Sequence, residues 1–290
     1  MELLIVFIIV SVLLISIQLF PKPKSPKEFP ESWENILNNE VAIYGTLDHS
    51  DKELFKSRVH EFIQTKPILG DQIEITDHLK LLVASSAVMV TLSFKSWNFN
   101  YLTGVTLVRG AVKDKNTQGL ISGLMQSYGS KSQVVLSKSA LVQGFKNIRD
   151  KKNVGVHEFA HVLDHADGQI DGVPELLMNS DIIEEWKPLM KRKIQEIQKR
   201  KSDINPYGGT NEVEFFAVIA EYFFEKPHIL EKKHPQVYRL LEKTFQQNNS
   251  QKFKEKFNRL AAIVKVKISR NSKCLCGSGK KYKKCCMLKD

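Results

Sequence analysis

VGVHEFAHVLDHADG, residues 154–168, sets histidines at 157, 161 and 165 and a glutamate beside the first of them. His157-Glu158-Phe159-Ala160-His161 fits H-E-x-x-H. On a helix, positions i and i+4 lie on one face roughly 6 Å apart, so two imidazoles can grip one zinc ion. The intervening Glu158 sits on the neighbouring flank, where it can take a proton from water activated by the metal. A helix is expected here: Asn153 can cap its start, and Gly168 can end it. Val154, Val156, Phe159, Ala160, Val162 and Leu163 give it an apolar body that buries the site.

The segment supplies two ligands, and a catalytic zinc needs three plus an open position. On a continuing helix His165 lies about 12 Å along the axis from His157, too far for one ion. It is read as an outer or surface histidine. Asp167 follows His161 by six, but the turn that would bring it back favours Gly where Asp164 stands. Asp164 is expected to take the second N–H of a ligand histidine. A better source is YGGTNEVEFFAVIAEYFFEKP, residues 207–227, with Asn211 as a helix cap. Glu214, Glu221 and Glu225 are spaced by seven and four and share one face of an otherwise apolar, aromatic helix. Acids in such a setting are costly unless paired or metal-bound. Spacing alone leaves Glu214 and Glu221 both open as the third ligand.

The chain has 290 residues and a net charge of +11. Residues 251–290 hold 13 Lys/Arg and 2 Asp/Glu, so the basicity belongs to the tail and the body is neutral. Any acidic partner should therefore meet the tail. All four cysteines lie there too, Cys274, Cys276, Cys285 and Cys286, which points to a reducing compartment and a metal site. Their C-x-C-x8-C-C pattern can close a tetrahedral, structural zinc. Residues 3–20, LLIVFIIVSVLLISIQLF, have no charge and reach roughly 27 Å as a helix. They predict an uncleaved transmembrane helix over 1–21. Lys22, Lys24 and Lys27 follow it, placing the body on the cytoplasmic side of a bacterial inner membrane.

A Pro/Lys linker (22–30), a catalytic body (31–250) and a basic helix with the cysteine motif (251–290) complete the expected organisation. Within the body, 31–66 and 80–94 read as helical, 101–110 and 132–141 as strands, and the Gly/Ser-punctuated stretch between those strands as a hairpin or loop. The fold class is α+β. The basic helix beginning at 251 can dock on the body, lie on an anionic membrane or meet RNA; no specific DNA binding is expected.

With Asn153-Val154, the HEFAHxLDxxxG run and the YGxTNExEFFAVxxExFFExP run on the page, the chain resembles the Mlc titration factor A zinc peptidases. The catalytic domain of anthrax lethal factor carries a similar pair of segments. The resemblance covers roughly 31–250. It implies a zincin-like fold, one catalytic Zn2+ held by His157, His161 and Glu214, Glu158 as general base, and Tyr207 as donor to the developing oxyanion. It also implies aminopeptidase-like or limited-proteolysis activity on a peptide or protein substrate and, in the namesake, binding to a transcriptional repressor. The KCLCGSGKKYKKCC stretch closely resembles the SEC-C motif, which implies a second, structural Zn2+ and contact with a protein or ribosome partner. The expected function is a membrane-anchored zinc metallopeptidase. The alternative is a zinc-stabilised binding protein that tethers a partner, for which Glu158 would serve no purpose.

Overall fold

The computed structural model describes residues 29–95, 97, 99–113, 119–147, 150–255, 270–273 and 280–284. The body opens with three helices whose apolar spacing was legible: α1 (Glu31–Glu40), α2 (His49–Thr65) and α3 (Asp77–Thr91). Asp48 and Thr76 cap the last two, each side chain accepting the N–H three residues on. Helix α3 is buried along most of its length. At its C-terminal end the Arg58 guanidinium donates to the carbonyls of Thr91, Leu92 and Phe94, and the Thr91 carbonyl also accepts the Phe94 N–H.

Strands β1 (Ile68–Asp71), β2 (Leu102–Val108), β5 (Gly123–Tyr128) and β6 (Lys131–Ser137) form one sheet in the order β1-β2-β6-β5. The first three are parallel; β5 runs antiparallel to β6, with Met125 opposite Val134. A separate pair, β3 (Val112–Lys113) and β4 (Leu120–Ile121), precedes β5. The stretch expected to be a strand through residue 141 stops at Ser137. The Ser137 hydroxyl accepts the Ala140 N–H and starts helix α4 (Lys138–Lys146) instead. The stretch read as hairpin or loop holds the antiparallel pair β3–β4 and then β5, which turns at residues 129–130 to pair antiparallel with β6 as a hairpin. Its serines and glycines hid the period-two pattern.

Helices α5 (Val154–Asp164), α6 (Ser180–Gln198), α7 (Glu212–Glu225), α8 (Pro227–Lys233) and α9 (Pro235–Phe245) complete the body. Gly155 lets α5 approach α3, since a Cβ there would lie 2.0 Å from Ser86 Oγ. Helix α7 lies against α5 on another side. Its Phe216 and Phe223 stack on Phe245 of α9, at centroid distances of 6.2 and 5.4 Å. Each such buried aromatic contributes about 2–3 kcal/mol, so the face of α7 away from the carboxylates anchors the helix. Asp203 ties the surrounding chain together by accepting from Lys151 (2.8 Å), Lys233 (2.7 Å), His234 (2.8 Å) and Tyr222 (2.9 Å). Burial works against its charge, but these donors hold the carboxyl well below the usual carboxylate range.

The expected transmembrane helix is corrected. Among the described residues no helix is long and apolar enough to cross a membrane. The longest of the strongly apolar ones, α3 and α7, have 15 and 14 residues, reaching about 22 Å against a hydrocarbon core of about 30 Å. Helix α6 has 19 residues but is heavily charged. The segment 3–20 itself lies outside the described residues, and the single-pass inner-membrane placement drawn from it is withdrawn with the span. Mixed α and β architecture stands. Cys274, Cys276, Cys285 and Cys286 also lie outside the described residues. The residues flanking them are paired: Lys273 bridges Lys281, and Tyr282 N–H donates to Ser272 O at 2.8 Å. At the start of the tail, Lys252 and Lys254 bond Asp51 and Glu231 of the body, both at 2.7 Å.

Candidate active site

Asn153 builds the start of α5. Its side chain accepts the Val156 N–H at 3.1 Å, and its own N–H donates to Glu221 Oε2 on α7. One turn on, His157 and His161 emerge on the same face, 9% and 7% exposed. Asn211 caps α7 in the same way, accepting the Glu214 N–H at 2.8 Å. That fixes the first turn of α7 and points Glu214 at the two imidazoles.

His157 Nε2 lies 3.1 Å from Glu214 Oε2 and 3.2 Å from His161 Nε2; His161 Nε2 lies 3.6 Å from the same Glu214 oxygen. A tetrahedral zinc with bonds of roughly 2.0–2.1 Å separates its ligand atoms by about 3.3 Å. The triangle therefore has the right size for one ion, and these three residues form a group able to hold a metal. The tautomer agrees. His157 Nδ1 faces Glu221 Oε1 at 2.8 Å, and a proton there leaves Nε2 as a bare lone pair. That lone pair meets a second imidazole nitrogen and a carboxylate oxygen, which are mutually repulsive without a cation between them. Burial disfavours the His157 cation, but Glu214 and Glu221 outweigh it and raise its pKa well above the ordinary value. Burial would raise Glu214, but the two imidazoles hold it well below the carboxylate range.

The remaining candidates fall around this triangle. Glu221 touches the far nitrogen of His157, where it orients the ring. Glu158 is 4% exposed; burial raises its carboxyl above the usual range, against the pull of the two imidazoles and of the nearby Met125 N–H of β5. Tyr207 sits in a short 3-10 turn, Pro206–Gly209, held by Asn205 Oδ1 accepting the Tyr207 N–H at 3.1 Å. Its ring lies 5.9 Å from that of His157, and it is 46% exposed at the cleft mouth. His165 is buried at the end of α5, apart from the metal-binding group. Asp164 does not take a ligand histidine's N–H. It accepts the Gly172 N–H at 2.9 Å and pins the following loop, while among the described residues His161 Nδ1 has no hydrogen-bond partner.

Gly123, Met125, Gln143, Lys152 and Asn205 were not singled out from the sequence, yet all but Met125 line a cleft of about 430 Å3 with His157, Glu158, Tyr207 and Glu221. Only Gly123 and Met125 had a local signal, the apolar residues of β5, and glycine and serine interrupt it.

Behind Glu221, Glu225 is buried, and among the described residues neither of its oxygens has a hydrogen-bond partner. The Lys152 N–H, a nearby donor, bonds Asp150 instead at 3.2 Å. Burial, with the Glu221 and Asp150 charges nearby, pushes its carboxyl from 4.5 up to about 9. Between those values the folded chain holds a proton that the unfolded chain has lost. Stability is therefore fully present below about pH 4.5 and falls as pH rises through the window. Glu225→Gln, neutral throughout, is expected to raise the melting temperature at pH 8 and to change it little at pH 4. Thermal melts of parent and variant at both values check this; an equal shift at both would contradict it.

Two sequence profiles match the chain. That of the Glucose-regulated metallo-peptidase M90 family covers residues 22–246, and that of the SEC-C motif covers residues 270–288. A Synechocystis sp. protein named Uncharacterized protein slr2042 is 28% identical over 243 residues, 79% of this chain and 86% of that protein. Mlc titration factor A of Pectobacterium atrosepticum is 30% identical over 104 residues, and that of Yersinia pestis 31% over 117. These alignments span 38% and 43% of the two factors, less than half of their length.

Proposed function

The chain belongs to the Glucose-regulated metallo-peptidase M90 family, and from that premise we propose that it is a zinc-dependent metallopeptidase acting on a peptide or protein substrate. The convergence of His157 Nε2, His161 Nε2 and Glu214 Oε2 carries this reading. Zinc bound there would polarise the scissile carbonyl and activate water. The side chains do the rest. Glu158, buried beside the ligands, accepts the proton of the attacking water and passes it to the leaving amine. Tyr207, at the cleft mouth, donates its phenol to the carbonyl oxygen as negative charge builds there. Glu221 keeps His157 in the tautomer that offers Nε2. Among the described residues no strand pairs with the outer edge of β5, so an extended peptide can add to it along the cleft. Cys274, Cys276, Cys285 and Cys286, all within the SEC-C match, are proposed to hold a second, structural zinc.

Digestion of a peptide library with the full chain tests the reading. Cleavage is expected to disappear on chelation and to return with added zinc, and mass spectra of the products distinguish N-terminal trimming from internal cuts. Absence of cleavage, or cleavage indifferent to chelation, would overturn it.

A further inference from the structure

The pairing of β5 with β6 fixes which way each backbone group of β5 points. Ser137 N–H donates to Ser122 O at 2.8 Å, and the register continues with Leu124 opposite Val135. Ser122 and Leu124 therefore direct their backbone groups at β6. Gly123 and Met125 direct theirs away from it, toward the cleft. Consistent with this, the Met125 N–H lies near the Glu158 carboxylate. Gly123 stands at the same place with no side chain. A Cβ built there would lie 2.5 Å from Glu158 Oε1, 2.7 Å from Glu158 Cγ and 2.7 Å from Val154 Cγ2. Gly123 does not have a positive φ, so the backbone would accept any residue. What it does not accept is a side chain in the volume that the carboxylate fills.

We propose that Gly123 is a positioning residue for Glu158: its missing side chain is the space in which the carboxylate is held beside the metal ligands. Two elements frame that space. On one side β5 is held by its register with β6. On the other, Val154 is one helical turn before Glu158 on α5 and packs against the same point. A methyl group at 123 displaces the carboxylate, which swings away from the proton it is to accept.

The inference rests on the reading of Glu158 as general base, and the experiment separates the two. Parent, Gly123→Ala, Glu158→Asp and Gly123→Ala/Glu158→Asp are prepared as full chains. Their kcat, KM and zinc content are measured, and a crystal structure of Gly123→Ala is determined. Gly123→Ala is expected to lower kcat by about 100-fold, to leave KM within about threefold, and to keep zinc at the parent level. Its structure should show the Glu158 carboxylate displaced from its place beside residue 123. The shorter aspartate makes room, so Gly123→Ala should cost less than about threefold when added to Glu158→Asp. An active parent with an unimpaired Gly123→Ala, or one whose carboxylate has not moved, overturns the role of Gly123 and leaves the peptidase reading intact. An inactive parent overturns the reading instead. Should Gly123→Ala not accumulate as folded protein, the double variant decides. Folding, with activity close to that of Glu158→Asp, supports the proposal; failure of the double variant to fold refutes it.

Discussion

Glu158→Gln is expected to lower kcat by about 1,000-fold with zinc content and melting temperature close to those of the parent. The amide has the shape of the carboxylate and fits the same space. What it lacks is a basic lone pair for the proton of water. Burial already lifts the Glu158 carboxyl above the ordinary range, toward the basicity that suits proton transfer near neutrality. Steady-state kinetics on any peptide that the library digest reveals, with metal analysis of the same samples, checks both halves. Retained cleavage in the variant would remove Glu158 from the chemistry. Loss of zinc along with activity would make it a ligand rather than a base.

Glu214→Gln is expected to weaken zinc binding by more than about 100-fold, and Glu221→Gln by between about 10- and 100-fold. The contrast follows from position. Glu214 contributes an oxygen 3.1 and 3.6 Å from the two Nε2 atoms, inside the triangle. Glu221 lies across the ring on Nδ1, where it tunes and aims His157 without reaching that point. An amide at 214 withdraws the charge that offsets the ion. An amide at 221 still accepts the Nδ1 proton, though less strongly. Competition with a chelator of known affinity measures both. The reverse order would exchange their roles.

Much of this site was legible because its signals are local. The H-E-x-x-H spacing, the Asn153 and Asn211 caps and the acidic face of residues 214–225 each depend on a few neighbouring residues. The choice between Glu214 and Glu221 was not legible from spacing. They are two turns apart on one face, and only the crossing of α7 over α5 decides which meets Nε2 and which meets Nδ1. The family resemblance supplied that choice. The hairpin of β5 and β6 was legible as a hairpin or loop, but its bounds and its place at the sheet edge were not, for a related reason. Gly123 is small because of its tertiary neighbour Glu158, yet along the chain a glycine reads as a break. Asp164 was misjudged because its partner, the Gly172 N–H, lies on a loop with no pattern of its own. The transmembrane expectation weighed length and apolarity alone. Helix α3 shows that a strongly apolar helix in this chain can owe its composition to a protein core.

The ligands on α5 and α7 are separated by about 50 residues of chain, and α6 and its loops lie between them. A metal held by both helices closes that length into a ring, and the ring is specified only in the folded state. Its binding energy is therefore folding energy. At a free concentration 1,000 times its dissociation constant, such an ion adds about 4 kcal/mol to the stability of the body. That is comparable to a disulfide spanning a long loop, in a body that has no cysteine with which to make one.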